Sequence, residues 1–485
     1  MGNSSENGKS GPSRKELAIR LGVLQREAAS LGIPSVVVIE GLDGSGKGLL
    51  LNNLILDLDA RSYDIYSTHA SDEPARDYPI LWRIWNHTPV QGKLQFFDRS
   101  AYYLALDSWA DGEIDAEGFD RYIDDIRQFE RQLADNGTLL VKILLTVSKE
   151  EQARRFREYE DNPKTAWRVT GKDWKRYNQY QEYLDKAREM MAATDEDFAP
   201  WKEIGTDDLK EATIALHETV IAAFEKAVEK HKQEAQKPVP PRDWITYEGT
   251  DHLAQVDLSA KLERKEYKKL LVERQAEIHE LAHQIHEHRI PVVMVYCGWD
   301  AAGKGGCIKR LLQGVDPRSF MVVPIAAPTR LELSHHYLWR FWKELPPRGK
   351  ITIFDRSWYG RVLVERVEAL CSNDEWQRAY DEMNAMERHF TDFGTVVIKF
   401  WLHIDQGTQL ERFRAREENP FKRWKITDED WRNRKKFSQY EQAVNEMVDR
   451  TNTPYAPWNL VSSTCKMHAR IQTLDTFIKA VTAAL

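Results

Sequence analysis

The chain repeats itself at a fixed spacing, and this repeat constrains its fold more than any other feature. Residues 41–48 read G-L-D-G-S-G-K-G, and residues 298–305, which lie 257 positions later, read G-W-D-A-A-G-K-G. One spacing preserved over many rare residues predicts two tandem copies of one domain. Further pairs at the same spacing are D-R-S at 98 and 355, N-P at 162 and 419, and A-P-W at 199 and 456.

The repeat sets the expected domain boundaries. We expect a flexible polar tail over residues 1–14, a first copy over 15–232 and a second copy over 258–485. Residues 233–257 between them contain a cluster of prolines and are predicted to be a linker. The second copy should open with a charged helix over 258–288, whose apolar residues recur at helical spacing.

Short apolar runs alternate with helical stretches in both copies. This alternation is typical of an α/β fold, and we predict a P-loop kinase-like parallel sheet flanked by helices. The charged, tryptophan-rich stretch after the last run is expected to form a helical lid. The predicted strands are 36–39, 94–97 and 139–147 in the first copy, and 290–296, 321–325, 350–354 and 396–404 in the second.

The segment that follows the first strand of the second copy has the pattern G-x-x-x-x-G-K. Glycines let successive backbone N–H groups face one anion, and the following helix adds the partial positive charge of its N-terminus. Gly305 replaces the Ser or Thr that usually follows the lysine and holds Mg²⁺. The alternative is an ordinary glycine-rich turn. The candidate phosphate-binding residues are Gly298, Ala301, Ala302, Gly303, Lys304 and Gly305.

Two aspartates are candidate ligands for one or two Mg²⁺ ions. Asp300 lies inside the loop, and Asp355 ends an apolar strand, where open α/β sheets bind their ligands. Arg356 is placed to contact a transferring phosphate, and Arg361 is expected to reach the same site from the next turn. The alternative is that Asp355 and Arg356 form only a surface ion pair.

Basic residues are concentrated beyond the last predicted strand of the second copy. We predict that they form a mobile lid which contacts phosphoryl oxygens and excludes water. A solvated helix face and, for Arg330, a surface loop are the alternatives. The candidate phosphate contacts are Arg330, Arg412, Arg416, Lys422 and Lys425.

Composition excludes several classes of function. The net charge of −7 and the isoelectric point near 6.1 argue against nucleic-acid or membrane-surface binding, so a polyanion must meet a local basic patch. No apolar run approaches the ~18 residues that span a bilayer. The four cysteines show no metal-ligand spacing, and a cytoplasmic location is expected. Self-association through the 258–288 helix is conceivable.

The G-x-D-x-x-G-K-G loop, the F-D-R-S-W-Y-G-R strand end and the N-P-x-x-x-W-K lid resemble the second polyphosphate kinase family. The tandem arrangement is similar to its two-domain class. This resemblance implies Mg²⁺-dependent, reversible transfer of the terminal phosphate of polyphosphate to AMP, giving ADP. It implies Asp300 and Asp355 as metal ligands and Lys304, Arg356, Arg361, Arg412 and Arg416 as phosphate contacts. Cys297 departs from the Glu expected before the loop, which the first copy keeps as Glu40.

The two copies predict a division of labour. The first keeps Asp43, Lys47, Asp98 and Arg99, but at the 257 spacing Leu104 replaces Arg361, Asp72-Glu73 replaces Thr329-Arg330, and Thr165-Ala166 replaces Lys422-Arg423. Misplaced acids would repel a long polyanion. The second copy is therefore the predicted catalyst and the first a degenerate structural or regulatory domain. An ATP-dependent nucleoside monophosphate kinase, similar to thymidylate kinase, and a non-catalytic polyphosphate- or nucleotide-binding scaffold are the alternatives.

Overall fold

A computed structural model describes residues 12–68, 73–238, 242 and 244–485. The chain forms two compact units that follow the two copies, with two exceptions. The segment Pro74–Trp82 belongs to the second unit, and Leu333–His336 belongs to the first. Of the predicted tail, residues 1–11 lie outside the described residues. Ser13 caps the first helix by accepting a hydrogen bond from the backbone of Glu16.

The first copy contains five parallel strands in the order β2-β3-β1-β4-β5. They are β1 (Ser35–Gly41), β2 (Tyr63–Ser67), β3 (Leu94–Asp98), β4 (Leu139–Thr146) and β5 (Trp201–Gly205). Its helices are α1 (Arg14–Ser30), α2 (Lys47–Ile55), α3 (Ile80–Asn86), α4 (Ala101–Ala110), α5 (Ala116–Asp135), α6 (Lys149–Asp161), α7 (Gly171–Asn178), α8 (Tyr180–Thr194) and α9 (Leu209–Ala235).

The second copy repeats this sheet, in the order β10-β9-β6-β8-β7, again with parallel pairing. Its strands are β6 (Val292–Gly298), β7 (Phe320–Pro324), β8 (Ile351–Asp355), β9 (Val396–His403) and β10 (Trp458–Ser462). Its helices are α10 (Arg264–Glu287), α11 (Lys304–Leu312), α12 (Arg330–Leu333), α13 (Trp339–Trp342), α14 (Val364–Val367), α15 (Asn373–Asp392), α16 (Gln406–Glu417), α17 (Asp428–Lys435), α18 (Phe437–Thr451) and α19 (Lys466–Thr482).

The central strands explain why both sheets form. Six of the seven residues of β1 and of β6 are buried, because helices cover both faces of a parallel sheet. Strands β8 and β9 flank β6, so their carboxyl ends meet at one edge of the second sheet. Among the helices in the described residues, none is both long enough and apolar enough to cross a membrane.

The predicted α/β fold is confirmed, and all seven predicted strands are present within two residues of their expected ends. Three edge strands, β2, β5 and β10, were not predicted, because they are short and mix polar with apolar residues. This changes the position of the predicted lid. The polar helices α16 to α18 lie between β9 and β10 instead of following the last strand.

The predicted linker also differs from the structure. Helix α9 continues to Ala235, and residues 244–256, here called the strap, pack on the second unit. The Trp244 indole donates to Gln442 Oε1 at 3.1 Å, and buried Leu253 donates its backbone N–H to Asn445 Oδ1 at 3.0 Å. Residues 239–241 and 243 lie outside the described residues. Within the described residues, the predicted 233–257 linker thus begins as helix and ends as the strap.

Candidate active site

The glycine loop leaves β6 with a geometry that requires glycine at its first position. Gly298 has a φ of 145°, and a Cβ there would lie 2.6 Å from the Leu402 carbonyl oxygen. Gly303, with a φ of 118°, caps helix α11, which begins at Lys304. Lys304 Nζ donates to the Gly298 carbonyl at 2.7 Å, so its ammonium lies over its own loop. This is the strand, loop and helix arrangement that the sequence predicted.

The end of β8 meets this loop. Asp355 pairs in register with Tyr296 of the neighbouring strand β6. Arg356 follows with a φ of 66°, an uncommon left-handed conformation for a non-glycine residue. Its Nη2 lies 3.6 Å from Asp300 Oδ1, and the amide of Asn433 in α17 donates to Asp300 Oδ2 at 3.1 Å. The loop, the strand end and the polar helices thus converge on Asp300.

A cavity opens beside this point of convergence. Four of the predicted site residues line it, namely Gly298, Asp300, Lys304 and Arg356. Sequence reasoning missed its other principal side chains, which come from the loop and from α17 and α18. They are Trp299, Glu429, Asn433, Phe437 and Tyr440.

Trp299 forms the aromatic wall of this cavity. Its ring stacks on Phe437, with centroids 4.0 Å apart and an interplanar angle of 10°. Its indole N–H donates to His403 Nδ1 at 2.9 Å. Burial lowers the pKa of His403 to about 4, so the imidazole stays neutral and keeps accepting this bond at neutral pH. At the 257 spacing the first copy has Leu42, Tyr180 and Thr146, so it lacks this cluster.

Cys297 stands where the first copy has Glu40, and the structure shows what each of these two residues contacts. Its Sγ lies 3.4 Å from Ser357 Oγ beneath the loop, and burial raises the pKa of the thiol to about 11. In the first copy Glu40 accepts from both the backbone N–H and the hydroxyl of Ser100 at 2.7 Å. Both residues bind the serine that follows the strand-end arginine. We therefore assign this position a supporting role.

The carboxylates suit Mg²⁺ better than a metal held by protein alone. The described residues contain no group of three or more His, Cys, Asp or Glu side chains that would hold a metal. Magnesium usually takes one or two carboxylates and completes its shell with water and phosphate oxygens. Asp300 opens onto the cavity beside the loop, whereas Asp355 ends the adjacent strand and lines neither of the cavities at the loop. The Asp300 carboxylate therefore fits a magnesium ion bound together with a phosphate substrate, and Asp355 as a second ligand stays a prediction.

A second cavity adjoins the same loop at Ala301, Ala302 and Gly303. Six cationic side chains and no carboxylate line it: Arg412, Arg416, Lys422, Lys425, Lys466 and Arg470. The sequence predicted the first four and missed Lys466 and Arg470, which come from the distant helix α19. The pKa of the Lys466 ammonium lies below its usual value, because partial burial and the neighbouring arginines and lysine disfavour its charge.

Arg412 contacts the backbone of the loop. Its Nη1 donates to the Ala301 and Ala302 carbonyls at 2.9 Å, and its Nη2 donates to the Ser463 and Thr464 carbonyls at 2.7 and 2.9 Å. Both terminal nitrogens are therefore engaged with backbone oxygens. The side chain braces the loop and lines the basic cavity, and its contact with phosphate stays a prediction.

Arg361, Arg330 and Gly305 are predicted site residues that line neither cavity at the loop. Arg361 Nη1 lies 3.1 Å from Glu365, and its guanidinium covers the Tyr337 ring at 4.4 Å. Nearby acids therefore hold it, and it does not line the cavity beside Asp300. Arg330 is exposed at the start of α12, and Gly305 is exposed on α11. Neither lines the two cavities at the loop.

The sheet and the site together define the class of protein to which this chain belongs. A phosphate loop after the central strand, an aspartate at the end of the adjacent strand and polar helices over the loop are the parts of a P-loop phosphotransferase. The profile of the polyphosphate kinase 2 family matches residues 4–233 and 261–485. The chain therefore belongs to the polyphosphate kinase 2 family.

Similar proteins span nearly the whole chain. A polyphosphate:AMP phosphotransferase of Pseudomonas syringae pv. tomato is 38% identical over 477 residues, covering 98% of this chain and 95% of that protein. One of Pseudomonas aeruginosa is 37% identical, covering 93% and 91%. The crystal structure of a Pseudomonas aeruginosa protein described as a polyphosphate kinase 2 superposes with a TM-score of 0.85 at 36% identity, covering 97% and 95%. The tandem architecture is thus shared.

Proposed function

We propose that the second copy transfers the terminal phosphate of inorganic polyphosphate to AMP, giving ADP, in a reversible reaction. The placement of the phosphate loop carries this proposal. Residues 298–300 and 304 line the cavity that holds the Asp300 carboxylate, and residues 301–303 line the cavity with six cations. A polyanionic donor and a nucleotide acceptor can thus meet at one loop. The activity of the full-length relatives supports the same reaction.

Phosphoryl transfer requires positioning and charge stabilisation more than covalent chemistry by the protein. Asp300 and Asp355 would hold one or two Mg²⁺ ions, which neutralise charge on donor and acceptor phosphates when bound. Lys304 and the loop amides would bind the donor end, and Arg356 the transferring group. The phosphate of AMP already presents a deprotonated oxygen as nucleophile, so the site needs no dedicated base.

The basic cavity supports polyphosphate as the donor, and its counterpart in the first copy does not. The first-copy residues that lie 257 positions before the six cations are Arg155, Tyr159, Thr165, Arg168, Leu209 and Thr213. Only two of these six residues are cations. Asp72 and the side chain of Glu73, which the sequence also predicted to repel a polyanion, lie outside the described residues. The loss of cations in the first copy supports assigning the proposed reaction to the second copy.

The test compares Asp355→Asn with its first-copy counterpart Asp98→Asn in the full chain. With AMP, polyphosphate and Mg²⁺, we expect Asp355→Asn to lose about 100-fold or more in ADP formation, because a metal ligand is removed. Asp98→Asn should stay within about twofold of wild type, and a chelator should abolish turnover. Loss in the Asp98→Asn variant alone would refute this assignment.

The choice of donor separates the alternatives. ADP formed with ATP as the donor, and none with polyphosphate, would identify an ATP-dependent nucleoside monophosphate kinase. Retained polyphosphate binding without Mg²⁺-dependent turnover would identify a scaffold. The proposal also includes a cytoplasmic location, consistent with four free cysteines, and no nucleic-acid partner. Self-association through α10 stays a prediction.

A further inference from the structure

In the first copy a buried arginine contacts the loop aspartate, whose counterpart in the second copy is the proposed metal ligand Asp300. Arg176 of α7 is buried, with its Nη1 3.4 Å from Asp43 Oδ2 and its Nη2 paired with Asp107. Asp43 is the counterpart of Asp300. The counterparts of Arg176 and Asp107 are Asn433 and Val364, so the second copy has neither the cation nor its partner acid.

The two loop aspartates consequently have different electrostatic surroundings. Asp43 is flanked by two guanidiniums, Arg99 at 3.6 Å and Arg176 at 3.4 Å. Asp300 is flanked by one guanidinium, Arg356 at 3.6 Å, and by the neutral amide of Asn433 at 3.1 Å. A second cation this close neutralises the carboxylate and repels a divalent ion. Asp43 is therefore a much poorer metal ligand than Asp300.

The helix that carries Arg176 is held in place by further ion pairs. Lys172 Nζ lies 3.1 Å from Asp107 and 2.8 Å from Asp111, and Lys175 Nζ lies 3.3 Å from Asp111. The second copy has Glu429 where the first has Lys172, so both Lys172 pairs are absent there. The third pair has a counterpart, because Arg432 of α17 lies 3.6 Å from Glu368. The ion pairs fix α7 against α4 with Arg176 directed at the loop aspartate.

The strand-end aspartate of the first copy, Asp98, is not part of these ion pairs. Its Oδ1 is buried and accepts no hydrogen bond from any residue that the structure describes. Its counterpart Asp355 is a proposed metal ligand. Of the two aspartates that correspond to the proposed ligands, Arg176 therefore contacts only Asp43.

We propose that Arg176 occupies the place of the magnesium ion in the first copy, and that the residue at this lid position decides which copy holds metal. An arginine here, paired with an acid on α4, closes the site. An asparagine, opposite valine, leaves the loop aspartate available. The proposal rests on the proposed function in treating Asp300 as a metal ligand. Its test counts bound metal and does not depend on turnover.

The test exchanges these residues between the copies in the full chain and counts bound Mn²⁺ by electron paramagnetic resonance. The double variant Arg176→Asn/Asp107→Val should bind at least one more Mn²⁺ than wild type, and adding Asp43→Asn should remove the gain. The reciprocal variant Asn433→Arg/Val364→Asp should lose the Mn²⁺ that wild type binds through Asp300. Circular dichroism melting identifies variants that fail to fold.

Matched controls separate metal exclusion from general perturbation. Arg188→Asn makes the same substitution on α8 and breaks only the surface pair with Glu203, so the Mn²⁺ count should not change. Asn433→Ala removes the amide without adding charge and should keep its Mn²⁺. A folded Arg176→Asn/Asp107→Val protein with the wild-type count, or a folded Asn433→Arg/Val364→Asp protein that keeps its metal, would overturn the proposal. Shifted counts without phosphotransfer would refute the proposed function alone.

Discussion

Lys466 and Arg470 show how single residues extend the candidate site beyond its motifs. Both belong to α19, near the end of the chain, yet they line the basic cavity with Arg416, Lys422 and Lys425. In the first copy Leu209 takes the place of Lys466. A Cβ built on Gly46 of the first loop would lie 3.0 Å from the Leu209 side chain, so an apolar group covers that loop. At this one position the second copy has a cation that lines a cavity, and the first copy has an apolar side chain against its loop.

The first prediction concerns Lys466→Leu, which gives the second copy the residue of the first. One lost charge-assisted contact to phosphate should raise KM for polyphosphate about 10-fold, while KM for AMP changes less than about twofold. Steady-state kinetics with each substrate varied in turn measures the difference. The control is Lys479→Leu, an exposed lysine of the same helix, which should change neither constant. Equal rises in both KM values would contradict the assignment.

At the scale of elements, the strap and helix α18 act together. The strap contacts Gln442 and Asn445 on one face of α18, while Phe437 and Tyr440 of the same helix line the cavity at Asp300. Arg366 of α14 adds a further tie, since its Nη2 donates to the Ile245 carbonyl at 2.9 Å. The strap, which the sequence predicted to be part of a linker, therefore packs against α18, a helix that lines the candidate site.

The second prediction is that Leu253→Ala loosens the strap and α18. Leu253 is only 2% exposed, and truncation of such a buried leucine costs about 2–5 kcal/mol of stability. Amide hydrogen exchange should become faster in the strap and in α18, with little change in the first copy. Ile245→Ala is the control, because Ile245 is 41% exposed and should contribute little. Unchanged exchange in α18 would show that the strap does not support it.

At the scale of the whole molecule, both units contain the same buried charge cluster. Lys142 Nζ donates to Glu130 at 2.6 Å and to the Thr194 carbonyl at 2.6 Å. Lys399 repeats this with Glu387 at 2.7 Å and the Thr451 carbonyl at 2.8 Å. Burial lowers the pKa of both lysines, and the paired glutamates act against that shift. The copies thus share their internal architecture and differ at their sites.

The third prediction uses this symmetry. Either Lys142→Met or Lys399→Met leaves a glutamate buried without its cation, which should destabilise its own unit by about 3–5 kcal/mol. The network of Lys399 includes Tyr359, which lies two residues after Ser357 and so close to the end of β8. For this reason only Lys399→Met should also lose turnover. Hydrogen exchange locates the destabilised unit, and the ADP assay reports the rate. Loss of turnover in Lys142→Met alone would contradict the assignment of catalysis to the second copy.

The amino-acid sequence by itself determined the repeat, the class of fold and the positions of the loop and the strand-end aspartates. These depend on short-range physics. Glycine is favoured where φ is positive, an apolar run makes a buried strand, and parallel strands bring their carboxyl ends to one edge. The edge strands β2, β5 and β10 escaped this reasoning because they are only partly buried and lack a clear apolar pattern.

Only the tertiary structure decided which side chains meet. It directed Arg412 to the loop carbonyls and Arg361 to Glu365, and it brought Lys466 to the basic cavity. It also placed Arg176 against Asp43, 133 positions away along the chain. Such contacts follow from the packing of helices onto a sheet, which local sequence patterns do not encode. For that reason the motifs located both candidate sites, while the packing showed that an arginine contacts the loop aspartate of one of them.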